Sequence, residues 1–211
     1  MTRGASTGAA RAVGPAARAA EVLALVRTRP ATLGDGRLIC IDGPAGSGKS
    51  TLASAIVEAS GAAVVHLDDL YDGWDGLPRL DDQLDPLLRP LAAGRPGSYR
   101  RYDWQAMAYD GMVTVPPAPL LVLEGVGSGS AAYARLCTVL VWVEAPYELR
   151  RRRGLARDGD AFAPHWEAWA RSEDALFARD RTRDRADVVV QTGSGTPTGS
   201  RDAGGAVGPA G

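Results

Sequence analysis

The sequence predicts an α/β fold, a three-layer doubly wound sandwich built around a mostly parallel sheet. Apolar runs of strand length alternate along the chain with segments of helical length, which is typical of parallel strands covered by helices on both faces. A glycine-rich turn joins the first of these runs to a helical segment, as in the strand–turn–helix units of this fold class. The 211 residues, 45% of them hydrophobic, are enough for one core and too few for two ordinary domains.

The first half of the chain predicts helices and strands in alternation. The apolar stretch that opens it is interrupted by Glu21 and followed by Arg27 and Arg29, which favours a helix over a signal-peptide core. A short apolar run, the glycine-rich turn, a helical stretch, a second apolar run and a helix ending at Gly94 follow in that order. These elements are a helix at 16–29, a strand at 37–42, a helix at 49–60, a strand at 64–67 and a helix at 82–93.

The second half of the chain continues the same alternation. Two apolar runs are separated by three prolines, Pro116, Pro117 and Pro119, which cannot donate to a strand ladder. Trp166 and Trp169 stand at helical spacing on the last long helix, which predicts that they belong to the core. The elements are apolar runs at 113–115 and 120–123, a strand at 138–143, helices at 146–157 and 165–181, and a strand at 188–192.

The ends of the chain differ in composition from its centre. Residues 1–17 lack periodicity and predict a disordered arm or a transit-like leader. Residues 193–211 contain seven glycines among nineteen residues, which predicts a disordered tail because such a segment cannot bury enough surface to order itself. A single domain at 18–192 lies between these ends. We expect no membrane-spanning segment, since no apolar run approaches the roughly 18 to 20 residues that one needs.

Charge and cysteine content narrow the classes of function. The net charge of -1, from 24 basic and 25 acidic side chains, argues against nucleic acid as the main partner. Cys40 and Cys137 each lie in an apolar run, which favours reduced thiols and a cytoplasmic location. The chain has no asparagine and one lysine, Lys49. Since arginine serves wherever a generic positive charge suffices, Lys49 is the first candidate for a specific role.

Residues 43–50, GPAGSGKS, match the phosphate-binding loop G-x-x-x-x-G-K-[ST] and lie between a predicted strand and a predicted helix. Glycines allow the turn to aim successive backbone N–H groups at a phosphate, and the helix N-terminus adds positive potential. Lys49 is expected to reach the β- and γ-phosphates, and the Ser50 hydroxyl to hold Mg²⁺. The pattern predicts a nucleoside triphosphate with Mg²⁺. The nucleotide is expected to be held by Gly43, Ala45, Gly46, Ser47, Gly48, Lys49, Ser50 and Thr51.

Carboxylates follow two other predicted strands. Asp68 and Asp69 come after the strand at 64–67, and Glu124 comes after the run at 120–123. The carboxyl ends of parallel strands meet at one edge of the sheet, so these side chains are expected near the phosphate loop. A carboxylate there could bind Mg²⁺ or accept the proton of an attacking hydroxyl. The alternative for Asp68 and Asp69 is helix capping.

Arginines cluster on the predicted helix at 146–157. Arg150, Arg153 and Arg157 fall within about 60° of one another on a helix. One helix face could therefore present three guanidinium groups to a phosphate chain as a lid, stabilising the transferring group and excluding water. A solvated basic helix and a nucleic-acid patch are the alternatives.

These motifs occur in the order seen in uridine-cytidine kinases, and the chain resembles the broad family that also includes pantothenate kinase and phosphoribulokinase. The resemblance extends from about Arg37 to Thr192 and depends on the combination rather than on one motif. Its remaining pieces are DDLY at 68–71, RYDW at 101–104, LEGV at 123–126 and RADV at 185–188.

The resemblance implies a kinase that moves the γ-phosphoryl group of ATP to a hydroxyl of a nucleoside or a similar small polar molecule. It implies Asp68 as the general base and an Mg²⁺ site formed by Ser50, Asp68 and Glu124. It also implies that Tyr71, Tyr102 and Trp104 contact the acceptor together with Asp68.

The sequence departs from the uridine kinase pattern near the acceptor. Leu70 stands where the family has Phe, the uracil-contacting histidine is replaced near Met107, and no His-Pro-Asp segment precedes the helix at 82–93. The resemblance therefore supports phosphoryl transfer more strongly than it supports uridine as the acceptor. The aromatic residues of 99–109 could line an acceptor pocket or form the packed side of an inserted hairpin. An ATP-binding regulatory module or slow ATPase without an acceptor is the competing function.

Overall fold

The computed structural model describes residues 13–159 and 162–193. Five parallel strands form the central sheet in the order β2-β5-β1-β6-β7. A two-stranded antiparallel hairpin, β3-β4, lies outside that sheet. The strands are β1 (Arg37–Asp42), β2 (Ala63–His66), β3 (Gly97–Asp103), β4 (Ala108–Val115), β5 (Leu120–Glu124), β6 (Val139–Glu144) and β7 (Val188–Gln191).

The helices follow or join these strands. They are α1 (Pro15–Arg27), α2 (Lys49–Ser60), α3 (Asp81–Ala92), α4 (Tyr147–Asp158), α5 (Trp166–Asp180) and the short α6 (Thr182–Arg185). Helix α2 begins after Gly48 and ends at Gly61, and both glycines have the positive φ that ordinary residues rarely adopt. In the described part of the chain, no helix combines the length and apolar character needed to cross a membrane.

Alternate side chains of each strand enter two separate cores, which makes the fold three-layered. In β1, Leu38 and Cys40 belong to the core on the side of α3 and α5, whereas Ile39 and Ile41 belong to the core beneath α1 and α2. This is the period of two that a strand imposes on its side chains. The predicted α/β sandwich with a mostly parallel sheet is confirmed.

Several element boundaries differ from those that the sequence predicted. Helix α1 begins at Pro15, so residues 15–17 belong to it and not to the predicted arm. Residues 1–12, and residues 194–211 of the predicted tail, lie outside the described part of the chain. Helix α5 ends one residue early because Arg181 has a φ of 48°, which stops the helical hydrogen-bond pattern.

The apolar run at 113–115 is the end of β4 and not a strand of the central sheet. Strand β4 pairs with β3 in antiparallel register, from Gly97 opposite Val115 to Asp103 opposite Ala108. The hairpin packs on α3, whose backbone leaves no room for a side chain at Gly97. It therefore adds a wall beside the carboxyl ends of β2 and β5.

Candidate active site

The phosphate-binding loop lies between the end of β1 and the start of α2. Gly43, Gly46 and Gly48 have φ values of 136°, 74° and 103°, a region that favours glycine. A Cβ at Gly43 would lie 2.0 Å from the carbonyl oxygen of Val143, and one at Gly46 would lie 2.3 Å from that of Arg150. Glycine is therefore required at these two positions by backbone conformation and by space.

Lys49, the first residue of α2, lies inside this loop. It is only 7% exposed, and its ammonium group donates to the carbonyl oxygens of Gly43 at 2.8 Å and Pro44 at 3.1 Å. These carbonyl contacts hold the charge at the floor of the loop. The lysine also lines the adjacent cavity, so its ammonium group is placed for an anion bound there.

Glu124, the last residue of β5, connects the loop to β2. One carboxylate oxygen accepts the Ser50 hydroxyl at 3.2 Å, and the other lies 2.9 Å from Nδ1 of His66. Burial acts to raise the pKa of Glu124, but the His66 hydrogen bond and the nearby Lys49 charge hold that pKa below its usual value. Glu124 is therefore an ionised carboxylate at neutral pH.

His66 was not identified as a site residue from the sequence. It ends β2 in register with Glu124 of β5, and the hydrogen bond to Glu124 raises the pKa of the imidazole above its usual value. The signal in the sequence was a histidine directly at a strand end next to the Asp68–Asp69 pair. Its cross-strand partner, Glu124, which raises the pKa of the imidazole, is 58 residues away in the chain.

Asp68 lies in a short 3₁₀ turn that follows β2, Leu67–Asp69. Its side chain lines the cavity that contains Lys49, Ser50 and Glu124. Its backbone carbonyl accepts a hydrogen bond of 2.8 Å from Nε1 of Trp104 in the hairpin connection. The turn is thus held from the hairpin side, and Asp68 lines the same cavity as residues of the phosphate-binding loop.

The donor set suits magnesium bound together with a nucleotide. Ser50 and Glu124 supply oxygen ligands that are already in contact, and Asp68 lines the same cavity. Among the described residues, no group of three or more His, Cys, Asp or Glu side chains forms a metal site. Magnesium at nucleotide sites needs no such group, because it keeps several waters and takes phosphate oxygens, with one or two protein ligands. The residues therefore fit an ATP–Mg²⁺ pair.

One cavity of about 600 Å³ joins these groups to an aromatic wall. Six of the eight predicted nucleotide-binding residues line it, whereas Gly43 and Ser47 do not. The opposite wall is formed by residues that follow β2, by the hairpin connection, and by α4 and α5. Its size is that of a small-molecule site.

The chain is similar in fold to solved structures, and two of them serve as examples. A protein described as a possible uridine kinase from Bacillus stearothermophilus has a TM-score of 0.56 and 20% identity, over 82% of this chain and 97% of that chain. A candidate fructose transport system kinase from a Silicibacter species has a TM-score of 0.52 and 23% identity, over 84% of this chain and 98% of that chain. The chain shares the fold of these two proteins. No protein-family model matches the sequence, and no curated protein matches it significantly.

The three predicted lid arginines do not share one set of contacts. Arg153 and Arg157 line the cavity, but Arg150 does not. The guanidinium of Arg150 instead contacts the carbonyl oxygen of Ala45 at 3.3 Å and a carboxylate oxygen of Glu173 at 3.8 Å. In this structure Arg150 therefore lies outside the cavity lining, with its guanidinium held by the loop backbone and by the buried carboxylate of Glu173.

Arg153 connects α4 to the loop through Thr192. Its guanidinium donates to the Thr192 hydroxyl at 2.9 Å, and that hydroxyl donates to the carbonyl oxygen of Ser47 at 2.6 Å. Thr192 was predicted as the last residue of a strand, but β7 ends at Gln191. Thr192, the residue after β7, therefore links β7 and α4 to the phosphate-binding loop.

The predicted acceptor residues are divided between the cavity and the core. Tyr71 and Trp104 line the cavity. Tyr102 does not, and its ring packs at 5.2 Å from Trp104 and 5.4 Å from Tyr109. Both interpretations of the aromatic segment thus hold in part, since it forms a hairpin whose connection also reaches the cavity. Trp169, predicted as core, is buried and also lines the cavity.

Glu173 of α5 is a site residue that sequence reasoning missed. One carboxylate oxygen accepts the backbone N–H of Ala45 and the indole N–H of Trp169, each at 2.7 Å. Burial raises the pKa of this carboxyl to about 7, against the lowering effect of Lys49 and of these hydrogen bonds. Glu173 accepts the backbone N–H of Ala45, and Arg150 donates to its carbonyl oxygen, so these two side chains hold this residue of the loop in place.

Asp42 holds the other side of the loop and was also missed. The last residue of β1 is fully buried, and its carboxylate accepts the backbone N–H groups of Gly43, Gly127 and Gly129 at 2.7 to 2.9 Å. Burial raises its pKa to about 6, although these hydrogen bonds act in the opposite direction. This carboxylate links the phosphate-binding loop to the turn that follows β5.

Replacing Glu173 with glutamine should change how stability depends on pH. The Glu173 proton is held up to about pH 7 in the folded protein and to only about pH 4.3 in the unfolded chain. The stability that the protonated Glu173 carboxyl contributes is therefore fully present below its pKa in the unfolded chain. It is lost as the pH rises through its pKa in the folded protein. Glutamine keeps the acceptor oxygen and cannot ionise, so Glu173→Gln should gain about 1 to 3 kcal/mol relative to wild type between pH 5 and pH 8.

Urea unfolding followed by tryptophan fluorescence at pH 5, 6, 7 and 8 measures this change in the free energy of unfolding. Glu167→Gln is the matched control, because Glu167 is an exposed glutamate of the same helix. Parallel pH profiles for wild type and Glu173→Gln would contradict the assignment of this titration to Glu173.

Proposed function

We propose that the protein is an ATP-dependent phosphotransferase that moves the γ-phosphoryl group to a hydroxyl of a small molecule. The observation that carries the proposal is the meeting of Lys49, Ser50, Glu124 and Asp68 in one cavity that extends to an aromatic wall. The P-loop kinase fold agrees with it. The resemblance to uridine kinases places nucleosides among the acceptors to be tested.

The nucleotide is held by the loop and by the start of α2. Backbone N–H groups of Gly46 and Gly48, together with the helix N-terminus, face an anion at the position of the phosphates. Lys49 moves its ammonium group from the loop carbonyls to the β- and γ-phosphates. Ser50, Glu124 and Asp68 would hold Mg²⁺, which would neutralise charge on the phosphate oxygens.

The acceptor hydroxyl is oriented and deprotonated by Asp68. Its carboxylate lines the cavity on the aromatic side of the loop, where it can accept the hydroxyl proton as the oxygen attacks the γ-phosphorus. Arg153 and Arg157 approach from α4 and stabilise charge on the transferring group. Phe162 and Trp169 exclude water from this side, which favours transfer over hydrolysis.

We further propose that the protein acts in the cytoplasm on a small molecule, with neither nucleic acid nor membrane as a partner. Its nearly balanced charge provides no large positive surface for a polyanion. Cys40 and Cys137 are free thiols, as expected for a reducing compartment.

Because the chain has one lysine, ATP binding at Lys49 can be tested by chemical labelling. An acyl phosphate of ATP transfers its acyl group to an amine beside the phosphates, and Lys49 is the only lysine. We expect one acyl group at Lys49 by peptide mass spectrometry, and loss of that label when unmodified ATP competes. Labelling confined to the N-terminal amine, or unaffected by ATP, would contradict the proposed nucleotide site.

Release of ADP with and without acceptors distinguishes a kinase from an ATP-binding regulatory module. The assay compares nucleosides, sugars, vitamins and other small alcohols, with detection of a phosphorylated product by mass. We expect ADP release to depend on the acceptor. Slow ADP release that is the same with every compound would instead support the regulatory module.

A further inference from the structure

Five aromatic side chains line the cavity, and we call the part that they line the aromatic end: Tyr71, Trp74, Trp104, Phe162 and Trp169. Trp74 is at the centre of this group. Its ring stacks on Phe162 with 4.9 Å between centroids, lies 4.6 Å from Trp104, and meets Trp169 edge-on at 6.2 Å. The imidazole of His165 also stacks on Trp74, with 4.7 Å between centroids. The arrangement is therefore a preformed aromatic cluster and not a set of isolated exposed rings.

Three polar atoms of the aromatic end already donate hydrogen bonds within the protein. The indole N–H of Trp104 donates to the Asp68 carbonyl at 2.8 Å, and that of Trp169 donates to Glu173 at 2.7 Å. The Tyr71 hydroxyl donates to the carbonyl oxygen of Val126 at 2.9 Å. These three residues therefore keep their N–H and O–H groups for the fold. Because Tyr71 and Trp169 are buried, the more open ring surface belongs to Trp74 and Trp104, which are half-buried.

The charged groups that line the cavity come from the phosphate-binding loop, from the segments that end or follow β2 and β5, and from α4. Lys49 and Glu124 belong to the phosphate-binding loop and its neighbouring strand, and Arg153 and Arg157 extend from α4. At the aromatic end, Gln105 adds one exposed amide beside Trp104. Asp68 lines the same cavity and is joined to the aromatic end through the hydrogen bond from Trp104 to its backbone carbonyl.

This distribution of polar groups discriminates between classes of acceptor. A sugar or a nucleoside carries several hydroxyl and N–H groups, and each one that loses water without gaining a partner lowers affinity. A flat ring with few polar atoms loses little water and gains contact with the aromatic side chains. A site that lacks matching polar groups therefore favours the second class.

We propose that the acceptor is an alcohol whose hydroxyl is attached by a short linker to a flat, weakly polar ring. The ring occupies the aromatic end beside Trp74, and the hydroxyl reaches Asp68. This inference rests on the proposed phosphotransferase function and narrows its acceptor.

The transfer step balances with the groups already named. The hydroxyl oxygen forms a bond to the γ-phosphorus, and the bond from that phosphorus to the oxygen bridging the β- and γ-phosphates breaks. ADP leaves with the bonding electrons, and the hydroxyl proton passes to the Asp68 carboxylate and then to water. The products are ADP and a phosphate monoester of the ring alcohol.

The test compares two ring alcohols, 2-phenylethanol and 3-(2-hydroxyethyl)indole, with uridine and fructose on the full chain. Binding is measured by calorimetry in the presence of Mg²⁺ and a non-hydrolysable ATP analogue, and turnover is measured as ADP release. We expect the ring alcohols to bind at least tenfold more tightly than uridine and fructose, and to support turnover. Tighter binding of uridine or fructose, with turnover, would overturn this inference and leave the phosphotransferase proposal standing.

Variants of Trp74 assign the effect to the aromatic end. Trp74→Ala should raise KM for a ring alcohol about tenfold, the upper range for the loss of an aromatic pair, with KM for ATP changed less than twofold. Trp74→Phe should restore most of the affinity, because it returns a ring to the aromatic end. Trp142→Phe is the control, since Trp142 packs on Phe177 at 4.7 Å and does not line the cavity.

A fall in kcat with unchanged KM in Trp74→Ala, or no recovery in Trp74→Phe, would overturn the role of the aromatic end. Failure of the wild-type protein to release ADP with any alcohol, together with ATP labelling at Lys49, would overturn the phosphotransferase proposal itself.

Discussion

Asp68→Asn should lower acceptor-dependent turnover by about 10²- to 10⁴-fold, the usual contribution of a general base. Asparagine has nearly the same shape as aspartate but cannot take the hydroxyl proton. The hydrogen bond from Trp104 to residue 68 involves the backbone carbonyl and survives the change. The turn that follows β2 should therefore keep its position, and affinity for ATP measured by calorimetry should change only a few-fold.

The neighbouring Asp69 provides the matched control for this prediction. Asp69 belongs to the same 3₁₀ turn but does not line the cavity. Asp69→Asn should therefore retain turnover within about threefold, although it removes the same charge one residue away. Equal turnover for wild type and Asp68→Asn, or an equal loss in both variants, would refute the assignment of Asp68 as the base.

Lys49→Ala should weaken ATP binding by about 2 to 5 kcal/mol, which is the usual effect of truncating one partner of a buried, hydrogen-bonded charge pair. The lysine is largely buried in the loop and is the only lysine of the chain. Its charge also acts on the carboxyls of Glu124 and Glu173. Without Lys49 we expect the pKa of both carboxyls to rise, because an opposing positive charge is lost.

Calorimetric titration with ATP and Mg²⁺ measures this loss, and thermal unfolding shows whether the variant still folds. Lys49→Arg is the informative comparison because it keeps the charge but replaces a compact ammonium with a wide planar group. We expect Lys49→Arg to fold normally and still to bind ATP poorly, because the loop has room for an ammonium group at its floor. Wild-type affinity in Lys49→Ala would show that the loop is not the nucleotide site.

The predicted fold and phosphate-binding loop came from local patterns in the sequence. Strand-length apolar runs alternating with helices indicated the parallel sandwich, which the structure confirms. The spacing of Gly43, Gly48 and Lys49 predicted a strand–turn–helix unit, and the structure has that unit, between β1 and α2. Such features depend on residues that are adjacent in the chain. Steric limits on the backbone and the spacing of apolar residues are enough to predict them.

The contacts that position the loop were beyond the reach of sequence patterns. Glu173 is 128 residues from Ala45, whose N–H it accepts. Helical spacing correctly placed Arg150, Arg153 and Arg157 on one helix but could not show that Glu173 would draw Arg150 away from the cavity. A helix wheel orders the side chains of one element and carries no information about the charges on the element packed against it.

The sequence by itself determined the α/β class, the phosphate-binding loop and the place of the carboxylates at strand ends. These follow from covalent geometry, from the preference of glycine for positive φ, and from the rule that parallel strands end at one edge. Only the tertiary structure decided which side chains enter the cavity, which are held behind the loop, and that rings from four separate segments line the cavity together. Those outcomes depend on packing and hydrogen bonding between residues far apart in the chain, where each buried polar group must find a partner.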